Sequence, residues 1–116
     1  MTVLQLLRTP NGLEGIRLPL NSYKIFVPLR DIMRLEGQRN YTLFVLKTGQ
    51  QILVSKTLGI YEELLPSEFI RVNRGCIINT SYLDFAPKGN FRLKDGYEIP
   101  VSRRKVKYLE ALLQAA

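Results

Sequence analysis

Three short stretches carry side chains whose types and spacing suit contact with a polyanion. Gly37-Gln38-Arg39-Asn40-Tyr41 combines amides that can bind adenine edges, a guanidinium that can bind guanine or phosphate, and a phenol that can reach a sugar or a thymine methyl. In Arg71-Val72-Asn73-Arg74-Gly75, extended alternation puts Arg71 and Asn73 on one side and Val72 and Arg74 on the other. One arginine can then reach a groove while the other meets an acidic neighbour. Ser102-Arg103-Arg104-Lys105 sets three cations at the expected start of a helix, where free N–H groups and the positive end of the dipole already lie. A phosphate resolves that conflict. Each stretch also has an ordinary reading: a hydrated loop with Tyr41 dipping into the core, solvated surface charge, or cations screened by salt.

Seventeen Lys and Arg against ten Asp and Glu give a net charge of +7, which favours a polyanionic partner but speaks to nonspecific association rather than to a site. Catalytic chemistry lacks its usual groups. Histidine is absent, removing the commonest general base and metal ligand. The single cysteine, Cys76, has no imidazole to activate it and no second thiolate for zinc or a disulfide. Its flanks, Gly75-Cys76-Ile77-Ile78, read as a buried strand. Only Glu62 and Glu63 are adjacent carboxylates, and helical neighbours point apart. The expectation is no enzyme, no metal and no cofactor.

The elements that must position the three stretches are mostly short strands. At 116 residues, with 46% hydrophobic and 23% charged, the composition suits one folded domain over 1–116. The apolar start is cut by Pro10-Asn11-Gly12 and resembles no signal peptide, and no apolar run would cross a bilayer, so a cytoplasmic protein without a membrane partner is expected. Strands are expected at Val3–Leu7, Glu14–Leu18, Lys24–Val27, Asp31–Glu36, Tyr41–Leu46, Gln51–Ser55, Phe69–Val72, Cys76–Ile78 and Tyr82–Ala86. Pro28 marks a strand end or an edge, Lys47-Thr48-Gly49-Gln50 and Pro87-Lys88-Gly89-Asn90 mark turns, and Asn79 and Thr80 should satisfy backbone groups in another. Phe91–Lys94 and Tyr97–Ile99 flank Asp95-Gly96, a two-residue hairpin signal. Leu58, Tyr61, Leu64 and Leu65 share a helical face over 58–65, with Thr57 as N-cap and Pro66 as stop. Val106, Leu109, Leu112 and Leu113 define a C-terminal helix with Ser102 as N-cap; Lys107 extends its positive face while Tyr108 and Leu109 turn toward or along the core.

In this order, four segments form a pattern. Ile32-Met33-Arg34-Leu35-Glu36-Gly37 precedes Asn40-Tyr41-Thr42; Thr57-Leu58 is followed by Leu64-Leu65; Phe69-Ile70-Arg71-Val72-Asn73-Arg74 precedes Ile77-Ile78-Asn79; and Asp95-Gly96 precedes Ile99-Pro100-Val101-Ser102-Arg103-Arg104. Together they resemble the LytTR family of bacterial DNA-binding domains, over roughly Glu14 to Leu113. The resemblance implies a mainly β fold of several small antiparallel sheets with two short helices, whose loops enter successive major grooves of bent duplex DNA to regulate transcription. It implies contacts from the loop before Tyr41, from Arg74 and from Arg103, with Arg39, Asn40 and Tyr41 as alternatives in the first loop. It further implies a promoter partner, direct repeats, and two copies on DNA.

Such domains usually follow the receiver domain of a response regulator. The roughly 13 residues ahead of the matching region leave no room for one, so a stand-alone regulator or an excised domain is expected, with its upstream sensor or kinase unidentified. Arg74 and Arg103 are expected to reach bases, one or both at guanine. Arg39, Arg71, Arg104 and Lys105 are expected to neutralise phosphates, with Asn40, Tyr41, Asn73 and Ser102 completing the surface. The rival expectation is a β-rich interaction module whose exposed strand edges capture a peptide or another regulator.

Overall fold

The computed structural model describes residues 6–20, 22, 24–84 and 91–115. Strands β1 (Leu6–Arg8), β2 (Glu14–Leu18) and β3 (Ile25–Pro28) form one antiparallel sheet in that order, and Pro28 closes an edge strand, where its missing N–H costs no ladder bond. The main sheet contains β4 (Ile32–Gln38), β5 (Tyr41–Leu46), β6 (Gln51–Val54), β7 (Phe69–Asn73) and β8 (Cys76–Asn79), antiparallel in the order β6-β5-β4-β8-β7. Helix α1 (Leu58–Leu64) crosses from β6 to β7. Strands β9 (Leu83–Asp84), β10 (Phe91–Leu93) and β11 (Glu98–Ile99) make a third small sheet, and helix α2 (Arg103–Ala115) ends the chain.

One turn design recurs three times. At Thr9–Leu13, Leu46–Gln50 and Leu93–Tyr97 the first residue's N–H bonds the last residue's carbonyl, and a glycine N–H bonds back to the first residue's carbonyl. The glycines, Gly12, Gly49 and Gly96, have φ of 86°, 91° and 90°. A three-residue loop ending in a left-handed residue needs glycine there, because a Cβ would crowd the backbone.

Two apolar clusters lie on opposite faces of the main sheet. Alternation along β8 sends Ile77 to one face and Cys76 and Ile78 to the other; on β4, Ile32 and Leu35 oppose Met33. The first cluster is roofed by β2, β3 and α1, where the Tyr61 ring meets Phe44 edge-on at 4.9 Å. The second lies under β10, β11 and α2, with Leu93 and Leu109 wholly buried. The central strands β4 and β8 are therefore covered on both sides.

The mainly β class with two helices stands as expected; several element details differ. The hairpin at Asp95-Gly96 has a three-residue loop, since Leu93 pairs with Tyr97 and Lys94 joins the turn. Asp31 lies in a 3₁₀ turn over Leu29–Asp31, and a second such turn spans Thr80–Tyr82, so the expected strand at Tyr82–Ala86 starts at Leu83 and is described to Asp84, with 85 and 86 outside the described residues. Thr57 occupies the N-cap position of α1 with extended backbone, yet its hydroxyl makes no cap bond. Asn79 and Thr80 do satisfy backbone groups: Asn79 donates to the Ile32 carbonyl at 2.9 Å and accepts from the Ser81 N–H at 3.0 Å, and Thr80 donates to the Glu68 carbonyl at 2.8 Å. The expected start of the first strand at Val3 and the turn at 87–90 lie outside the described residues.

Candidate nucleic-acid interface

The antiparallel pairing of β4 with β8 sets the β4–β5 turn beside the β7–β8 turn. Glu36 pairs with Cys76, and one step further the Gly37 N–H donates to the Gly75 carbonyl at 2.9 Å. Arg39 lies two residues past that bond and Arg74 one residue before it. The start of α2 is tied to the same end of the sheet, because the Ser102 N–H donates to the Val72 carbonyl at 2.9 Å and the Asn73 side-chain amide donates to the Pro100 carbonyl. Residues distant in sequence, Arg39, Arg74 and Ser102-Arg103, are thus gathered at one end of the main sheet by backbone bonds.

The first stretch is more ordered than a loop. Gly37 and Gln38 complete β4, Tyr41 opens β5, and only Arg39-Asn40 turn the chain. The strand extends because Gly37 and Gln38 still find ladder partners in Thr42 and Tyr41. Arg39 has φ of 57°, a left-handed conformation that costs a non-glycine residue about 1–2 kcal/mol. Such strain is commonest where a side chain is needed for contact rather than for folding. Tyr41 stays 48% exposed and does not enter the core.

In the second stretch the ladder slips between Arg71 and Asn73, a bulge that leaves Val72 opposite no partner and buried against the second cluster. Arg71 meets the acidic neighbour its position allowed: its guanidinium donates to Glu62 at 2.9 Å and to the Arg74 carbonyl at 2.6 Å. Asn73 is occupied within the protein, accepting the Gly75 N–H at 2.8 Å in addition to its bond to Pro100. Arg74 is exposed, and its side chain is in no ion pair with a described residue. In the third stretch Ser102, Arg103 and Arg104 are exposed and Lys105 is half-buried, with no acidic residue in the first turn.

Arg71, Asn73, Arg74, Ser102, Arg104 and Lys105 line one open groove, of about 920 Å³, together with Glu62 and Tyr108. Tyr108 corrects its expected placement toward the core: it is 51% exposed, whereas Leu109 is wholly buried. Its spacing of four from Arg104 and three from Lys105 puts all three on one helical face, a signal that could have identified it.

A further group, hidden from the sequence, supports this end of the fold from inside. Arg34 is 7% exposed, stacks its guanidinium 3.6 Å above the Tyr97 ring, and bonds Glu36 at 2.7 Å and Asp95 at 3.0 Å. Burial opposes its charge, but the bonds and attraction of Glu36 and Asp95 more than offset this and hold its pKa above the ordinary value. The same burial pushes the Cys76 thiol up to about 11, and Tyr97 is also raised. Among the described residues no cluster of potential metal ligands occurs, and no helix is long and apolar enough to cross a membrane.

Two exposed turns and a cationic helix start lie together at one end of a β scaffold, an arrangement suited to a nucleic-acid-binding module. The comparisons with known proteins agree. Residues 23–114 match the LytTr DNA-binding domain family, to which the chain belongs. It is 34% identical over 108 residues to the sensory transduction protein LytT of Bacillus subtilis, covering 88% of this chain and 44% of that protein. It is 30% identical over 106 residues to the transcriptional regulatory protein YpdB of Escherichia coli, covering 86% of this chain and 43% of that one. The chain thus spans less than half the length of these curated relatives. A LytTr DNA-binding domain from Bacillus cereus superimposes with a TM-score of 0.64 at 25% identity, over 97% of this chain and 98% of that one.

Proposed function

We propose that this domain binds a specific duplex sequence at a promoter and thereby regulates transcription, with the β4–β5 turn, the β7–β8 turn and the start of α2 entering successive major grooves. The observation that carries this reading is the convergence of Arg39, Arg74 and Arg103 on one end of the main sheet through the Gly37–Gly75 and Ser102–Val72 bonds. In this reading Arg74 and Arg103 reach base edges, Arg39, Arg104 and Lys105 neutralise phosphates, and Asn40 and Tyr41 contribute from the first turn. Two copies on a direct repeat, a cytoplasmic location and control by an upstream sensor or kinase extend the proposal to the whole protein.

Selecting bound duplexes from a random pool returns the target and its half-site spacing, and Arg74→Ala and Arg103→Ala are then measured on it. Loss of a base-reading arginine should weaken the selected duplex by about 1–3 kcal/mol and relax preference at one base pair. Both variants binding as the parent does would remove the site assignment. A second reading is favoured by one feature: β6 is an edge strand with Leu53 46% exposed, a geometry that can pair with a peptide strand. Salt separates the two, since duplex binding through several phosphates loses orders of magnitude of affinity between about 50 and 200 mM salt and strand pairing does not.

A further inference from the structure

We propose that Glu62 and Arg71 are positioning residues that set the β7–β8 turn for sequence reading, and that neither belongs to the phosphate-binding surface. The proposal rests on the DNA-binding reading above. Arg71 Nη1 donates to Glu62 Oε1 at 2.9 Å and Nη2 donates to the Arg74 backbone carbonyl at 2.6 Å, so one planar fork joins helix α1 to the turn that carries Arg74. Glu62 follows Tyr61, whose ring is wholly buried in the first cluster, so the helix backbone that carries Glu62 is held by the core while its carboxylate stays 49% exposed. The other side of the turn is held independently by Asn73, which accepts the Gly75 N–H and donates to Pro100. The turn backbone is therefore fixed at Arg74 and Gly75 while the Arg74 side chain stays exposed.

Electrostatics alone gives Glu62 the wrong sign. It lines the same groove as Arg74, Arg104 and Lys105, where a carboxylate repels an approaching polyanion. Its contribution to binding must come through the group it holds. Arg71, in turn, has its charge matched by Glu62 and its fork occupied on two sides, which leaves little of it to displace counterions from a phosphate.

The two roles give opposite results on two duplexes. In fluorescence anisotropy with the full chain, Glu62→Gln should tighten binding to a scrambled duplex by about twofold, because a negative charge is gone. The same variant should weaken binding to the selected duplex by about three- to tenfold, part of what one base contact supplies. Arg71→Lys, which keeps the charge but cannot bridge both partners, should weaken only the selected duplex, with the slope of log affinity against log salt unchanged. Melting of both variants should match the parent. Equal tightening on both duplexes by Glu62→Gln would make Glu62 a repulsive surface charge and overturn the proposal. So would parallel losses on both duplexes by Arg71→Lys, or a common loss that follows lowered melting. A parent chain that does not discriminate the two duplexes would remove the DNA-reading assignment itself, and the positioning role with it; discrimination by the parent with unaltered discrimination in both variants removes the positioning role alone.

Discussion

Replacing Arg34 by methionine tests whether the buried guanidinium joins the main sheet to the β10–β11 hairpin. Methionine keeps most of the apolar stem and removes the charge, the stacking on Tyr97 at 3.6 Å, and the bonds to Glu36 and Asp95 at 2.7 and 3.0 Å. Two charge-assisted bonds would carry about 1.5–3 kcal/mol each if fully buried. The Glu36 and Asp95 side chains are 26% and 37% exposed, so solvent compensates each when freed and about 1 kcal/mol per bond is the appropriate figure. The cation–π contact adds about 1 kcal/mol, and about the same is regained because a thioether needs no desolvation. The net expectation is a loss of about 2 kcal/mol, or roughly 8 °C in Tm for a domain of this size. Urea and thermal unfolding followed by circular dichroism measure it, with Arg30→Met as control, since Arg30 is 72% exposed and its nearest carboxylate oxygen is 4.0 Å away. An Arg34→Met midpoint indistinguishable from that of the control would refute the assignment of Arg34 as a joint between the sheets.

Arg39→Gly should separate folding from binding at one residue. Relief of the left-handed φ of 57°, less the extra freedom glycine gives the unfolded chain, should stabilise the domain by about 0.5–1 kcal/mol in urea. Loss of one phosphate contact should at the same time reduce the salt slope of DNA binding by about 0.9; a destabilised variant or an unchanged slope contradicts one half of that reasoning. Cys76 should couple stability to alkaline pH. Its thiol is protonated in both states below the ordinary thiol value of 9.0; above that the unfolded chain ionises while the folded thiol holds its proton until about 11, so stability falls as pH rises through this window. Unfolding series from pH 9 to 11 should show the parent losing about 2 kcal/mol more than Cys76→Ala over that window.

The strands that position the interface were legible because their signals are local. Short runs rich in apolar residues mark β4, β5 and β8, and a glycine at the end of each three-residue turn marks the hairpins. The length of the Asp95-Gly96 loop was not legible: the same dipeptide serves two- and three-residue loops, and burial of Leu93 and Ile99 on one face decides the register. Arg39, Arg74 and Ser102-Arg103 could be named as cationic stretches, but their meeting depends on the antiparallel pairing of β4 with β8. The pairing of Glu62 with Arg71 and of Asp95 with Arg34 was not legible, because the partners lie 9 and 61 residues apart, separations that no periodicity encodes. Tyr108 was misplaced for a different reason. An aromatic residue beside Leu109 reads as core, and only the docking of α2 shows which of two adjacent positions faces inward.

The two-residue connections Arg39-Asn40 and Arg74-Gly75 contain no side chain of either apolar cluster. Chemical variation there is largely uncoupled from the energy that holds the sheets together. On the proposed function, a lineage built on this scaffold could therefore change the duplex it prefers through a handful of surface replacements that leave both apolar clusters intact.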